Sequence, residues 1–252
     1  FVNPYSGAPA SPQATTYTGR AAANSSLWNL VFEDNFDALC NEGSFLSAYP
    51  TWGAYPTSYR TTSNNGHYDP ATITVTDSTD GYRVMNCRMR VSGEPVCSAP
   101  YPKYPGQSRA SSLGLKVEAR IRVPSPTSGW KVAYLTWPDS EDWPGDGELD
   151  WCEGQLTGNL GAFFHRQDAT SGSDQVALSS PATFAGWHIV GMEWRPAQNT
   201  CKWFVDNVQV GSTMTSRVPN TPMHLVLQAE DSGSPSAEVN IQIDWIACYL
   251  PI

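Results

Sequence analysis

Gly147-Glu148-Leu149-Asp150-Trp151-Cys152-Glu153 sets three carboxylates within six consecutive positions. The residues just before it, Trp143-Pro144-Gly145-Asp146, carry the proline and glycine of a turn, and the Leu, Trp and Cys between the acids read as a strand leaving that turn. On a strand, Glu148 and Asp150 share a face, whereas strict alternation sends Glu153 to the other. One extra residue, a β-bulge at Trp151 or Cys152, brings Glu153 back, and bulges are common where a side chain has to be re-aimed. The expectation is three acids in a row on one surface, with Trp151 turned into the core.

Two carboxyl groups flanking a glycosidic bond, about 5–5.5 Å apart, are what retaining sugar hydrolysis requires: one attacks the anomeric carbon, the other protonates the leaving oxygen. With a rise of roughly 3.3 Å per residue and one step absorbed by the bulge, the Glu148 and Glu153 backbones lie about 13 Å apart. Each glutamate reaching inward by about 3.5–4 Å leaves roughly the required gap. Asp150 between them drives the proton affinities of the three groups apart, as distinct acid and nucleophile roles demand. An acidic edge or a calcium loop is the plain alternative, but calcium loops are richer in Asp, Asn and Gly and do not run through Leu, Trp and Cys.

Glu-x-Asp-x-x-Glu after a turn resembles the signature of glycoside hydrolase family 16 in its bulged, laminarinase-like form. Further matching segments are Phe32 to Asp37, Asp80 to Met85, Ser108-Arg109 with Leu113 to Pro124, Gly129 to Tyr134, Trp187 to Trp194, Phe204 to Asp206, Pro222 to Gln228 and Ile243 to Trp245. The resemblance implies an all-β fold, a β-sandwich jelly roll of two antiparallel sheets with a concave substrate cleft. It implies Glu148 as nucleophile, Asp150 as its helper and Glu153 as acid/base. It also implies substrate contacts from Arg109, Trp130, Tyr134, Trp137, His165, Gln228 and Glu230. No cofactor for catalysis is implied, only a structural calcium ion away from the cleft, held by Glu33, the Gly81 carbonyl and Asp244.

Composition narrows the partners. A net charge of -9 and a pI near 4.8 argue against nucleic acid, anionic membranes and strongly anionic polysaccharides. A neutral glycan fits better, with Arg109, Lys131 and Arg166 as local positive charge near the cleft. Ten Trp and eleven Tyr suit half-buried strands and stacking on sugar rings. Six cysteines without a Cys-x-x-Cys pair read as disulfides, with Cys87–Cys97 as the best short loop, and hence an oxidising compartment. No apolar run is long enough to span a bilayer, and Phe1 reads as the start of a processed, exported protein.

Along the chain, residues 1 to 26 read as an extended arm, with a glycosylation sequon at Asn24, and residues 27 to 252 as one catalytic sandwich acting as a monomer. Residues 43 to 70, with Trp52, Tyr55, Tyr59, His67 and Tyr68 between turns, suit a loop lining a groove. Proline-rich residues 95 to 106 read as a rigid connection. Leu113 to Val123 alternates apolar with polar residues, the pattern of an antiparallel strand with one buried face. In Glu238 to Tyr249 the expected buried row is Val239, Ile241, Ile243, Trp245, Ala247 and Tyr249. His67, His188 and His224 read as structural.

Together these readings point to a secreted retaining endo-glycosidase acting on a neutral polysaccharide, a β-1,3- or β-1,3-1,4-glucan. The alternatives are a non-catalytic carbohydrate-binding sandwich, and a glycosidase or transglycosylase acting on another glycan such as a galactan.

Overall fold

The structure is a computed structural model that describes residues 26–81 and 83–252; the expected arm, save its last residue, and the Asn24 sequon lie outside them. In chain order the elements are β1 (Trp28–Asp34), the one-turn helix α1 (Phe45–Ala48), β2 (Trp52–Ala54), β3 (His67–Tyr68), β4 (Ile73–Asp77), β5 (Arg83–Ser92), β6 (Glu94–Cys97), β7 (Pro100–Pro102) and β8 (Ser111–Ser112). There follow β9 (Leu115–Arg122), β10 (Trp130–Pro138), β11 (Glu148–Gln155), β12 (Asn159–His165), β13 (Gln175–Thr183), β14 (His188–Arg195), β15 (Thr200–Val205), β16 (Val208–Gln209), β17 (Met223–Asp231) and β18 (Val239–Pro251).

Two sheets pack face to face. One runs β13-β12-β11-β10-β17-β8; the other runs β16-β15-β14-β9-β18-β5-β6-β3, with β1 added to β18 and β4 to β5. All pairs are antiparallel except β3 with β6. Alternation drives the packing. Leu115, Val117, Ala119 and Ile121 of β9 meet Val132 and Tyr134 of β10, Leu149 and Trp151 of β11, and Phe164 of β12 in one core. Each of the larger aliphatic or Phe side chains contributes roughly 1.5–3 kcal/mol through removal from water. This is the β-sandwich jelly roll that the sequence implies.

Strict alternation fails on β18. Its register against β9 shifts between Ile243 and Trp245, so Asp244 is a bulge residue and the buried row splits. Ile241, Ile243, Ile246 and Cys248 enter the main core. Trp245, Ala247 and Tyr249 instead join Trp28 in a second apolar cluster. Residues 95 to 106, expected as a rigid connection, hold most of β6 and all of β7, because their prolines fall where a missing N–H is tolerated. Pro95 precedes the part of β6 paired with β3, and Pro100 and Pro102 lie in the two-stranded β2–β7 pair. Leu113 is 51% exposed, outside the row expected to be buried.

The cysteine expectation is also corrected. All six, Cys87 and Cys97 included, are buried free thiols. Cys87 faces the hydroxyls of Ser98 and Tyr134, and burial raises its thiol to about 12. These residues act as small apolar fillers of the core, not as cross-links.

Candidate active site

The acidic strand begins at Gly147, whose φ of +74 suits glycine and where a Cβ would come within 2.7 Å of the His165 carbonyl oxygen. The chain therefore turns tightly against β12 before Glu148. Against β10, Tyr134 pairs with Cys152 and Leu135 with Asp150; against β12 the register shifts between Asp150 and Glu153. Trp151 is the extra residue. Its carbonyl leaves the ladder and accepts the Trp203 indole N–H at 2.7 Å, so the bulge leaves no orphaned acceptor there. Trp151 itself is fully buried, as alternation anticipates.

Glu148 is 8% exposed and Asp150 3%, and Glu153 is half-buried. Ligand atoms of Glu148, Asp150 and His165 lie within 4.8 Å of one another, with His165 Nε2 3.4 Å from Asp150 and 4.0 Å from Glu148. Burial first, then the charge of Asp150, pushes Glu148 up to about 9. Asp150 rises well above the carboxylate range through burial and the charge of Glu153. Glu153 is raised by burial, opposed by Lys131 and His165. Glu148 donates to Asp150 and in turn accepts the Trp143 indole N–H. The site can therefore hold protons on carboxyl groups near neutrality and move one between Glu148 and Asp150. The same trio, Glu148, Asp150 and His165, is also the group able to coordinate a cation.

A trough of about 510 Å³ opens at Glu148 and runs across β10 and β17. Trp137 and Trp143 stack in it with centroids 6.2 Å apart and planes inclined by 16°, and Trp143 is 41% exposed. Arg109 and Gln228 line the trough with Trp137. His165 lies beside its acids, with the edge of Trp143 at 6.0 Å. Tyr55 and Tyr59 line the trough too, as expected of a groove-lining stretch, whereas Trp143 is legible in the sequence only as part of the turn ahead of the acids.

Three expected substrate contacts are elsewhere. Trp130 and Tyr134 are fully buried on the core face of β10: Trp130 donates its indole N–H to the Ala237 carbonyl at 2.8 Å, and Tyr134 packs on Trp151. Strand alternation gives the trough to their neighbours, Lys131, Ala133, Leu135 and Trp137. Glu230 is also fully buried. It accepts bonds from the Thr62 backbone N–H and hydroxyl, both at 2.8 Å, with Lys131 at 3.6 Å, so it holds a loop instead of a sugar. Arg166 is tied outside the acids to Asp174 and the Ser216 carbonyl.

The calcium ligand set does not fit. Asp244 receives Arg120 at 2.7 Å, and Arg122 also bears on it. Asp80, beside Gly81, pairs with Arg122. The Arg120 guanidinium occupies the Asp244 carboxylate that a divalent ion would need, which opposes a cation at Glu33, Gly81 and Asp244. Among the described residues, no helix is long and apolar enough to cross a membrane.

No protein-family model matches the sequence, and no curated protein does. Solved structures do match. The laminarinase from Rhodothermus marinus superposes with a TM-score of 0.70 at 19% identity, over 89% of this chain and 98% of that one. The laminarinase catalytic domain from Thermotoga maritima gives 0.68 at 17%, over 89% and 99%. A glycoside hydrolase family 16 endo-glucanase from Bacteroides ovatus gives 0.64 at 18%, over 86% and 99%. By its two sheets and its Glu148-lined trough, this chain has the β-sandwich fold of those laminarinases and of the family 16 endo-glucanase.

Proposed function

We propose that the chain belongs to glycoside hydrolase family 16 and is an endo-acting, retaining β-glucan hydrolase, cutting β-1,3- or mixed β-1,3-1,4-linkages. The observation that carries this reading is the bulge at Trp151, which brings Glu153 back toward the face of Glu148 and Asp150, with Glu148 lining an open trough. The likeness in fold to glucan-cleaving proteins supports the substrate class, as does a trough lined by Trp137, Trp143, Tyr55 and Tyr59. Aromatic faces grip uncharged sugar rings without demanding a counter-charge.

The reaction follows from the proton positions. Before attack the proton on Glu148 passes to Asp150, which accepts its hydrogen bond. The freed Glu148 carboxylate bonds to the anomeric carbon while Glu153, protonated, gives its proton to the departing glycosidic oxygen. A glycosyl ester on Glu148 and a shortened glycan result. Water then loses a proton to Glu153 and its oxygen displaces Glu148, restoring both acids and the original anomeric configuration.

Binding without catalysis fits less well. Two buried acids and a half-buried third facing one another destabilise the fold, and a binder has no use for them. Secretion rests on the proposed substrate, a polymer too large to cross a cell membrane, since the cysteines no longer argue for an oxidising compartment. The test is reducing-sugar release from a panel of glucans and galactans, with anomeric configuration followed by NMR. Hydrolysis of a neutral β-glucan with retention is expected. Binding across the panel without release from any member would sink the enzyme assignment.

A further inference from the structure

We propose that the trough ends beyond β17 in a tyrosine-walled subsite that binds one uncharged sugar ring remote from the bond being cut. This rests on the glycosidase reading of the same trough.

The cavity passes from Trp143 and Glu148 over Leu135 and Trp137 of β10, then over Gln228 and His224 of β17. It closes against Tyr55, Tyr59 and Arg109, where a second hollow of about 140 Å³ continues it past Tyr101. Strands are spaced by roughly 4.8 Å, so β17 lies about 10 Å from β11. A pyranose repeat is close to one strand spacing, so a glycan crossing the strands brings the second ring beyond the reacting one over Gln228 and His224. That ring meets the tyrosines edge-on or face-on.

The wall is fixed before any ligand arrives. Tyr55 sits among Tyr59, Tyr68 and Tyr101, with centroids 5.2, 5.3 and 6.3 Å away, and its phenol oxygen accepts a hydrogen bond from Gln228 on the trough floor. The loop after Tyr59 is fastened by two fully buried acids. Thr62 bonds to Glu230, while Thr61 and Ser63 bond to Asp231 at 2.7 and 2.5 Å. Gly66 admits no Cβ, which would meet the Pro95 carbonyl at 2.5 Å. Side chains held this way lose little freedom on binding. Tyr59 nonetheless presents its ring, 53% exposed.

The polar end of the hollow selects against charge. Asp139 accepts from Nδ1 of His224 at 2.8 Å, from Arg109 at 3.2 Å, and from the Ser111 hydroxyl. Arg109 is thereby neutralised and oriented, with guanidinium donors left for sugar hydroxyls. Burial holds the His224 imidazole below its ordinary range, so it adds no positive charge at neutral pH. Glu141, which also lines the trough, would repel an acidic sugar.

The test compares wild type with Tyr59→Ala on oligosaccharides of three to seven units, drawn from whichever neutral glycan the panel shows to be cut. Tyr59→Ala is expected to lower kcat/KM by about tenfold on the six- and seven-unit oligomers, the loss of one stacked ring, and by less than about twofold on the three-unit one; Tyr59→Phe should behave as wild type. Equal losses at every length, or none, would overturn the subsite. If wild type cuts no glycan, the enzyme reading falls separately, and calorimetric titration with β-1,3-gluco-oligosaccharides still decides. An affinity that rises with length in wild type and loses that rise in Tyr59→Ala supports the subsite, and a flat profile overturns it. Tighter binding of a uronic-acid oligomer of equal length would overturn the claim that the ring is uncharged.

Discussion

Strands β11 and β18 use the same device for opposite ends. Each carries a bulge that breaks the alternation of its side chains, at Trp151 in one sheet and at Asp244 in the other, and each buries an aspartate beside it. On β18 the buried charge is answered: Asp244 pairs with Arg120, with Arg122 near it, and burial raises it only to about 6. On β11 His165 and Lys131 offset the charges only in part, and burial with the charge of Asp150 raises Glu148 to about 9. A bulge re-aims a side chain in either place. What separates scaffold from site is whether a guanidinium bonds the buried carboxylate directly, as Arg120 does at Asp244, or several acids share partial compensation.

The comparison breaks most visibly in turnover. Glu148→Gln removes the attacking carboxylate and is expected to cost more than about 10³-fold in kcat on the preferred glucan. Glu153→Gln removes the proton donor and should cost about 10²–10⁴-fold, less so with a leaving group that departs without protonation. Both are read by initial rates of reducing-sugar release on folded protein. Unchanged rates in either variant would place the chemistry elsewhere.

The next effect lies on β18. Arg120→Met leaves Asp244 buried without its partner and is expected to destabilise the fold by about 3 kcal/mol at pH 8 in denaturant melts. Sign matters here. Asp244 already holds its proton more tightly when folded, so its ionisation erodes stability as pH rises from about 4 to about 6. Without Arg120 that erosion continues to higher pH, so the loss should be larger at pH 8 than at pH 5. A loss independent of pH would mean that Arg120 acts through its packing on Trp187, 4.3 Å from the ring centroid, and not through Asp244.

A smaller effect of opposite sign is expected on β11. The folded protein binds more protons at Glu148 than the unfolded chain does between pH 4.5 and about 9, so this group lowers stability progressively across that window. Glu148→Gln should therefore leave stability at pH 5 nearly unchanged and raise it at pH 8 by on the order of 1–2 kcal/mol. The same substitution that abolishes turnover would stabilise the fold, which a structural carboxylate such as Asp244 would not do. Equal melting shifts at both pH values would contradict the raised proton affinity.

Much of this contrast was legible in the chain, and the rest was hidden for one physical reason. Three acids in six positions announce the β11 bulge, because no other local structure turns Glu148 and Glu153 to one side. The β18 bulge has no such marker: Val239 to Tyr249 alternates apolar residues without a break, and only the pairing with β9 shows that Trp245 has changed face. Trp130 and Tyr134 were placed in the trough by resemblance, whereas alternation along β10 from Trp137 sends them to the core. The buried cysteines look identical in sequence to disulfide partners. Tyr55 and Tyr59 fell in a stretch recognised as groove-lining, but what fastens that stretch, Glu230 and Asp231, is far away in sequence.

The smallest expected effect is none. If Arg120 does at Asp244 what a divalent ion would do, then excess chelator at pH 7 should leave the melting temperature within about 1 °C of its value with calcium. An ion bound at a hundred times its Kd would contribute about 2.7 kcal/mol, roughly 5–10 °C for a chain of this size, so the two outcomes are well separated. Arg120→Met sharpens the comparison, because it frees the carboxylate while Glu33 and the Gly81 carbonyl remain. Calcium should then recover part of the lost stability in that variant and none in wild type. Rescue in neither would show that the Asp244 pocket needs the guanidinium's shape as well as its charge. A chelator-induced drop in wild type would mean that β18, like β11, keeps a carboxylate only partly compensated by the protein itself, and the distinction between the two bulges would vanish.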